Sequence, residues 1–202
     1  AGRGVQVVSG GALGIDGAAH RGALAGGGYT VVVLGSGVDV AYPARHAGLF
    51  DQIVASGGAL VSMFPLGMQP RRGSFVERNA LIAALADAVV VIEADVRSGS
   101  LSTAAAARKQ GRIVAAYPGS PGCQRLIASG AALVEEVADV VAILDGRPRY
   151  PAPPSLDDNA RKVRDALAAG VRGVDALVRH TGLPVRAVLR ALPQLESFAR
   201  CS

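Results

Sequence analysis

An aromatic ring, a guanidinium and an amide occur at i, i+3 and i+4 in Phe75, Arg78 and Asn79. That spacing puts the three on one face of a helix. The helix is expected over Ser74–Leu85, opened by a Ser74/Glu77 capping box, so the three sit near its positive end. The combination suits single-stranded nucleic acid: a base stacks on the ring, a phosphate pairs with the guanidinium, and the amide reads an edge or a sugar. Arg71 and Arg72, in the irregular loop just before, add charge. The plainer alternative puts Phe75 in the core and Arg78 in a surface ion pair.

A second stretch offers anion chemistry. The apolar run Val89–Ile92 reads as a buried central strand. Ser98, Gly99, Ser100 and the residues through Thr103 then turn the chain into a helix expected over Ala104–Gln110. Free N–H groups and a partial positive charge at such a helix start suit a phosphate, although an ordinary capped helix has the same sequence. A third stretch, Ser9–His20, runs from the strand Val5–Val8 through a Gly-rich turn, beginning Ser9-Gly10, into a helix. It lacks the G-x-G-x-x-G spacing of a dinucleotide site. Asp16 and His20, four apart, can form a catalytic or a structural pair. Asp39 can reach a ribose or cap a turn. Glu93 and Asp95 can do acid–base work or shape their loop.

Other chemistry is thin. His20, His46 and His180 have no metal-ligand spacing with one another or with Cys123 and Cys201. Neither a P-loop nor a G-x-S-x-G elbow occurs. No cofactor is expected. Two cysteines make no disulfide framework and suggest a reducing, cytoplasmic setting. No apolar run reaches membrane-spanning length, and no cleaved leader is recognisable. The net charge is +5, with 19 Arg against 2 Lys. Arginine suits bidentate phosphate recognition, but a GC-rich gene produces the same bias.

The elements that must position these residues alternate. Strands are expected at Val5–Val8, Thr30–Leu34, Ala59–Met63, Val89–Ile92 and Ile113–Ala116, with helices between them. The fold class is α/β: a Rossmann-like, mostly parallel sheet with helices on both faces. In such sheets ligands bind beyond the carboxyl ends of the strands, where every loop named above falls. This domain is expected over residues 1–145, and its opening on the approach to a strand leaves room for a further strand upstream. A Pro-rich linker, 146–155, follows. Residues 156–202 read as a helix-turn-helix-like module: an amphipathic helix Leu156–Ala169, then helices Asp175–Thr181 and Pro184–Leu192. Arg179, Arg186 and Arg190 can meet phosphates there, or the module can serve protein contacts. The stretch Glu196–Ser202 is too short for a full wing.

Taken together, SGGALGID..AH from Ser9, GSGVDVAYP from Gly35, F..RN.LIAALA from Phe75, VVVIEADVRSGSLSTA from Val89 and AAYPGSPG from Ala115 resemble the DNA-processing protein A (DprA, or Smf) family over roughly Val5–Gly130, with a weaker match beyond. The resemblance implies a single-stranded DNA binder without catalytic activity, one that dimerises and loads the RecA recombinase in natural transformation. It places DNA contacts at Phe75, Arg78 and Asn79, at Arg72 three residues before the Phe, at the Ser98-Gly99-Ser100 turn, and at Ser9 and Gly10. Three departures stand out. Gly11 and Leu13 replace a Leu and an Arg of the family motif, Ala80 replaces the Arg after R-N, and a G-S-R segment expected upstream of Ala1 is not in the chain.

The leading expectation is therefore a non-enzymatic single-stranded DNA binder acting with RecA, as a homodimer and away from membranes. The alternative is a nucleotide-binding phosphoribohydrolase of related Rossmann fold, using Glu93 or Asp95. A transcription factor working through the C-terminal helices is a third reading.

Overall fold

The computed structural model describes residues 4–151 and 156–199. Part of the linker, the final residues and Cys201 lie outside them. The first half is β1 (Val7–Ser9), α1 (Ile15–Ala25), β2 (Thr30–Leu34), a short 3-10 turn (Ala44–His46) leading into α2 (Ala47–Ala55), and β3 (Ala59–Ser62). Next comes α3 (Arg72–Leu85), and then β4 (Ala88–Val91), α4 (Gly99–Lys109), β5 (Ile113–Ala116), α5 (Pro121–Ala128), β6 (Ala132–Leu133) and α6 (Val137–Leu144). All strand pairings among the described residues are parallel, as crossover helices between consecutive strands require.

The strands form two three-stranded sheets, β1-β2-β3 and β4-β5-β6, where the sequence suggested one. β1 and β4 each have one strand neighbour among the described residues. Between the two sheets lies a cleft of about 590 Å³, lined by Gly4, Val5, Gln6 and Val8 on one side and by Leu85–Ala88 and Ile113 on the other. Each sheet has its own core. Val32 and Leu34 of β2 pack with Leu49, Phe50 and Ile53 of α2. Val89, Val91 and Val114 pack with Ala83, Ala104, Ala107, Cys123 and Leu126. Burying side chains the size of Phe50 or Ile53 contributes about 1.5–3 kcal/mol each. The many alanines let helices and strands approach closely.

Several helix boundaries differ from those read in the sequence, and capping explains most of them. α3 starts at Arg72. Ser74 is its third residue, and the Ser74 hydroxyl bonds Arg71 rather than forming a box with Glu77: the Arg71 N–H donates to Ser74 Oγ at 3.2 Å. α4 starts at Gly99 because Ser98 caps it, Oγ accepting from the Ser100 N–H at 3.2 Å. Ser100 to Thr103 are thus helical, not loop. The short strand β6 was not apparent in the sequence.

The C-terminal module is α7 (Asp158–Ala168), α8 (Val174–Thr181) and α9 (Val185–Ala199) around its own core of Leu156, Ala160, Val163, Ala166, Leu177, Val188 and Ala191. Asp157 caps α7 by accepting from the Ala160 N–H at 2.7 Å. α8 ends at Gly182 with φ 68°, a conformation that favours glycine. α9 runs past the expected end and through Pro193. No strand follows β6 among the described residues.

Candidate nucleic-acid interface

At the carboxyl end of β1 the turn is tied by Asp16, whose carboxylate accepts from Ser9 Oγ at 2.7 Å and from the Ala12 N–H at 3.0 Å. Asp16 is thus committed to the turn rather than to His20. The His20 ring is fully buried, and Nδ1 lies 2.7 Å from Thr30 Oγ1, whose hydroxyl donates to the Val7 carbonyl. Thr30 must then accept from His20, so Nδ1 carries the proton and Nε2 has no protein partner among the described residues. Burial pushes the His20 pKa down to about 4, opposed by Asp16 and assisted by His46 and Arg21.

Gly11 has φ 74°, and a Cβ there would lie 2.8 Å from Val32 Cγ1 and 2.9 Å from Phe50 Cζ. Those two side chains occupy the space a larger residue would need, so glycine at this departure from the family motif matches its packing. Leu13, where the motif has Arg, is exposed.

Arg78 is 7 % exposed. Its Nη1 donates to the Gly10 carbonyl at 2.6 Å and to the Val33 carbonyl, and its Nε donates to Asn79 Oδ1 at 3.2 Å. The guanidinium therefore ties the ends of β1 and β2 to α3. Burial pushes its pKa down, opposed by the Asp16 carboxylate. An arginine stays charged in a protein, so this cation remains at the strand ends, outside every ion pair among the described residues. Asn79 continues the chain of bonds: Nδ2 donates to Ser102 Oγ at 2.7 Å and to the Gly99 carbonyl at 3.3 Å. Ser9–Gly10, Arg78–Asn79 and Ser98–Ser100 are thereby brought to one edge. Ser102, which completes the link, was hidden in a stretch read as a turn.

Phe75 faces a different neighbourhood. It is half-buried, and a Cβ on Gly35 would lie 2.8 Å from its Cδ1. The Tyr42 ring stands 5.6 Å away, centroid to centroid, tilted by 41°. Arg71 and Arg72 are exposed at the start of α3, where the helix dipole adds positive potential, and neither is held in an ion pair among the described residues. The loops beneath are knit together. Gly67 N–H donates to both Asp39 oxygens at 2.9 and 3.0 Å, Gly37 N–H donates to the Met68 carbonyl at 2.8 Å, and Ser74 Oγ donates to the Gly35 carbonyl at 2.5 Å. Asp39 is thus a loop tie.

A second cleft, about 360 Å³, is lined by Ile15, Glu93, Ala94, Asp95, Arg97 and Ser98. Arg179, Arg186 and Arg190 are exposed on α8 and α9. Among the described residues no three His, Cys, Asp or Glu side chains form a metal-holding group, and no helix is long and apolar enough to cross a membrane.

Residues 1–145 match the family model described as DNA recombination-mediator protein A, and residues 147–196 match the DprA winged helix domain. A putative DNA processing protein DprA of Mycobacterium tuberculosis is 44 % identical over 216 aligned residues, covering 98 % of this chain and 55 % of that protein. Protein Smf of Escherichia coli is 41 % identical, covering 96 % and 56 %. The chain thus spans about half the length of these relatives. The X-ray structure of DprA from Streptococcus pneumoniae superposes with a TM-score of 0.64 at 44 % identity, covering 68 % of this chain and 50 % of that one. A Helicobacter pylori DprA structure, described by its single-stranded DNA binding mode, superposes with a TM-score of 0.65 at 31 % identity, covering 73 % and 69 %. Matched from its first parallel strands to its C-terminal helices, the chain belongs to the DNA recombination-mediator protein A family, DprA.

Proposed function

We propose that this chain binds single-stranded DNA at the edge where α3 begins. The observation that carries the reading is one helix start presenting the Phe75 ring and the exposed guanidinium groups of Arg71 and Arg72, beside a buried, charged Arg78. Arg71 and Arg72 meet phosphates, and the aromatic face meets a base. Arg78 and Asn79 hold the surrounding turns, including Ser9–Gly10 and Ser98–Ser100, in place beneath the strand. The single-stranded DNA binding of the Helicobacter relative supports the reading. We extend it to a non-enzymatic homodimer that hands its strand to RecA recombinase in natural transformation, on the strength of family membership.

The test is binding of labelled oligo-dT against duplex across a salt series. A preference for the single strand that weakens steeply with salt is expected. Equal affinity for both forms, or no binding, rejects the reading. The cleft beside Glu93 and Asp95 favours a second reading, a nucleotide phosphoribohydrolase. Release of free base from nucleoside monophosphates would support that reading.

A further inference from the structure

We propose that the outer face of α9 is a docking surface for double-stranded DNA, a second nucleic-acid site in addition to the α3 edge. Residues at i, i+1, i+4 and i+5 of a helix share a face. On α9 these are Val185, Arg186, Leu189 and Arg190, and all four are exposed, Val185 by 49 % and Leu189 by 51 %. The opposite face is committed to the core of the module, where Val188 and Ala191 are buried in one cluster with Val163 and Leu177. The charges of the module divide between its helices. On α7, Arg161 pairs with Asp158 at 2.9 Å and Arg164 with Asp165 at 2.8 Å. Just beyond α7, Arg172 Nη1 donates to the Leu167 and Val171 carbonyls at 2.6 and 3.0 Å. Arg186 and Arg190 have no ion pair among the described residues, and α9 holds no acidic residue before Glu196. The module therefore neutralises its arginines on α7 and leaves those of α9 to an outside anion.

The approach to α9 is held in place. Gly182 closes α8 with φ 68°, Thr181 Oγ1 donates to the Leu177 carbonyl at 2.6 Å, and the Leu183 N–H donates to Thr181 Oγ1 at 3.3 Å. Two helices joined by so short a turn are the arrangement in which the second helix enters the major groove and its first turns meet base edges. An α-helix with its side chains is about 10–12 Å across, and the major groove is about 12 Å wide. Arg186 and Arg190, one turn apart, reach phosphates or guanine edges, and the apolar Val185 and Leu189 beside them suit thymine methyl groups. An acidic protein would also meet the two charges. A face two turns long is small against the roughly 800 Å² per partner of a stable protein interface, whereas phosphate pairing gains affinity from a few contacts through counterion release.

The experiment uses the full chain with a labelled blunt duplex and with labelled oligo-dT, across a salt series and with melting temperatures measured alongside. The variants are the double substitution Arg186→Ala with Arg190→Ala, its Arg→Lys counterpart, Leu189→Glu and Arg72→Ala. Duplex binding is expected to be weaker than oligo-dT binding. The double Ala variant should weaken duplex binding about tenfold and reduce its salt slope by about 0.9 for each phosphate lost. The double Lys variant keeps the charge and should stay within about threefold. Leu189→Glu, which sets a carboxylate on the same face, should also weaken the duplex about tenfold. These α9 variants should leave oligo-dT binding and the melting temperature nearly unchanged, and Arg72→Ala should do the reverse, weakening oligo-dT and sparing the duplex. If the double Ala variant keeps duplex binding within twofold, or if duplex and oligo-dT binding fall together in it, the assignment is overturned. An unmodified chain that does not bind duplex overturns it as well, while one that does not bind oligo-dT overturns only the single-stranded DNA reading.

Discussion

Arg78 closes over Gly10. Its Nη1 donates to the Gly10 carbonyl at 2.6 Å, and a Cβ at Gly10 would lie 2.5 Å from Nη2. The glycine is required by that close approach. Gly10→Ala should force the guanidinium out of its seat and destabilise the fold by about 1–3 kcal/mol. A Cβ on Gly99 meets nothing within 4 Å, so Gly99→Ala should be neutral or stabilising by up to about 1 kcal/mol. Urea midpoints of the two variants check the contrast.

Arginines of this site should separate by what they disturb. Arg78→Ala leaves the Gly10 and Val33 carbonyls without their donor, at a cost of about 1–3 kcal/mol for each buried group left unmade. Its thermal midpoint should fall sharply. Arg72→Ala, at an exposed position, should change stability by no more than about 0.5 kcal/mol. It should instead reduce the salt slope of single-strand binding by about 0.7 for each phosphate that Arg72 neutralises.

His20 makes folding pH-dependent. Its pKa is about 4 in the fold against 6.5 as a free side chain. Between those values the unfolded chain binds more protons, so stability rises with pH. The contribution is complete above about 6.5, declines as pH falls through the window, and levels off below about 4; its size is on the order of a few kcal/mol. His20→Gln, followed by denaturant titrations from pH 4 to 7, should flatten that slope. An unchanged slope would assign the acid sensitivity to other groups.

The edges of β1 and β4 border the 590 Å³ cleft, and each has one strand neighbour among the described residues. Parallel strands are normally paired on both sides and buried. A longer chain that supplies an extended segment to this cleft should slow amide exchange at Val7–Ser9 and Ala88–Val91 relative to the present chain. Equal exchange in the two would show that the edges pair with nothing.

The order of strands and helices was legible residue by residue. Val31–Val33 and Val89–Val91 are apolar on both faces, as only a covered parallel strand needs to be. The Gly-rich and Ser-rich turns fall between them, and the order of five motifs already pointed to the family. Helix starts were less legible. A serine's side chain can cap, tie a loop or face solvent, and Ser74 and Ser98 were told apart only by the carbonyls and N–H groups that came within reach.

The spacing of Phe75, Arg78 and Asn79 determined by itself that they share a helix face, because about 3.6 residues make a turn. It did not determine which way that face points. Packing against Gly10, Val33 and Gly35 turned Arg78 inward and seated Phe75 on backbone. Only the tertiary structure brought Tyr42, 33 residues earlier in the chain, against that ring. Local periodicity sets the direction of side chains relative to their own helix. Contacts between distant segments, set by how the two sheets and their loops pack, decide what each side chain meets.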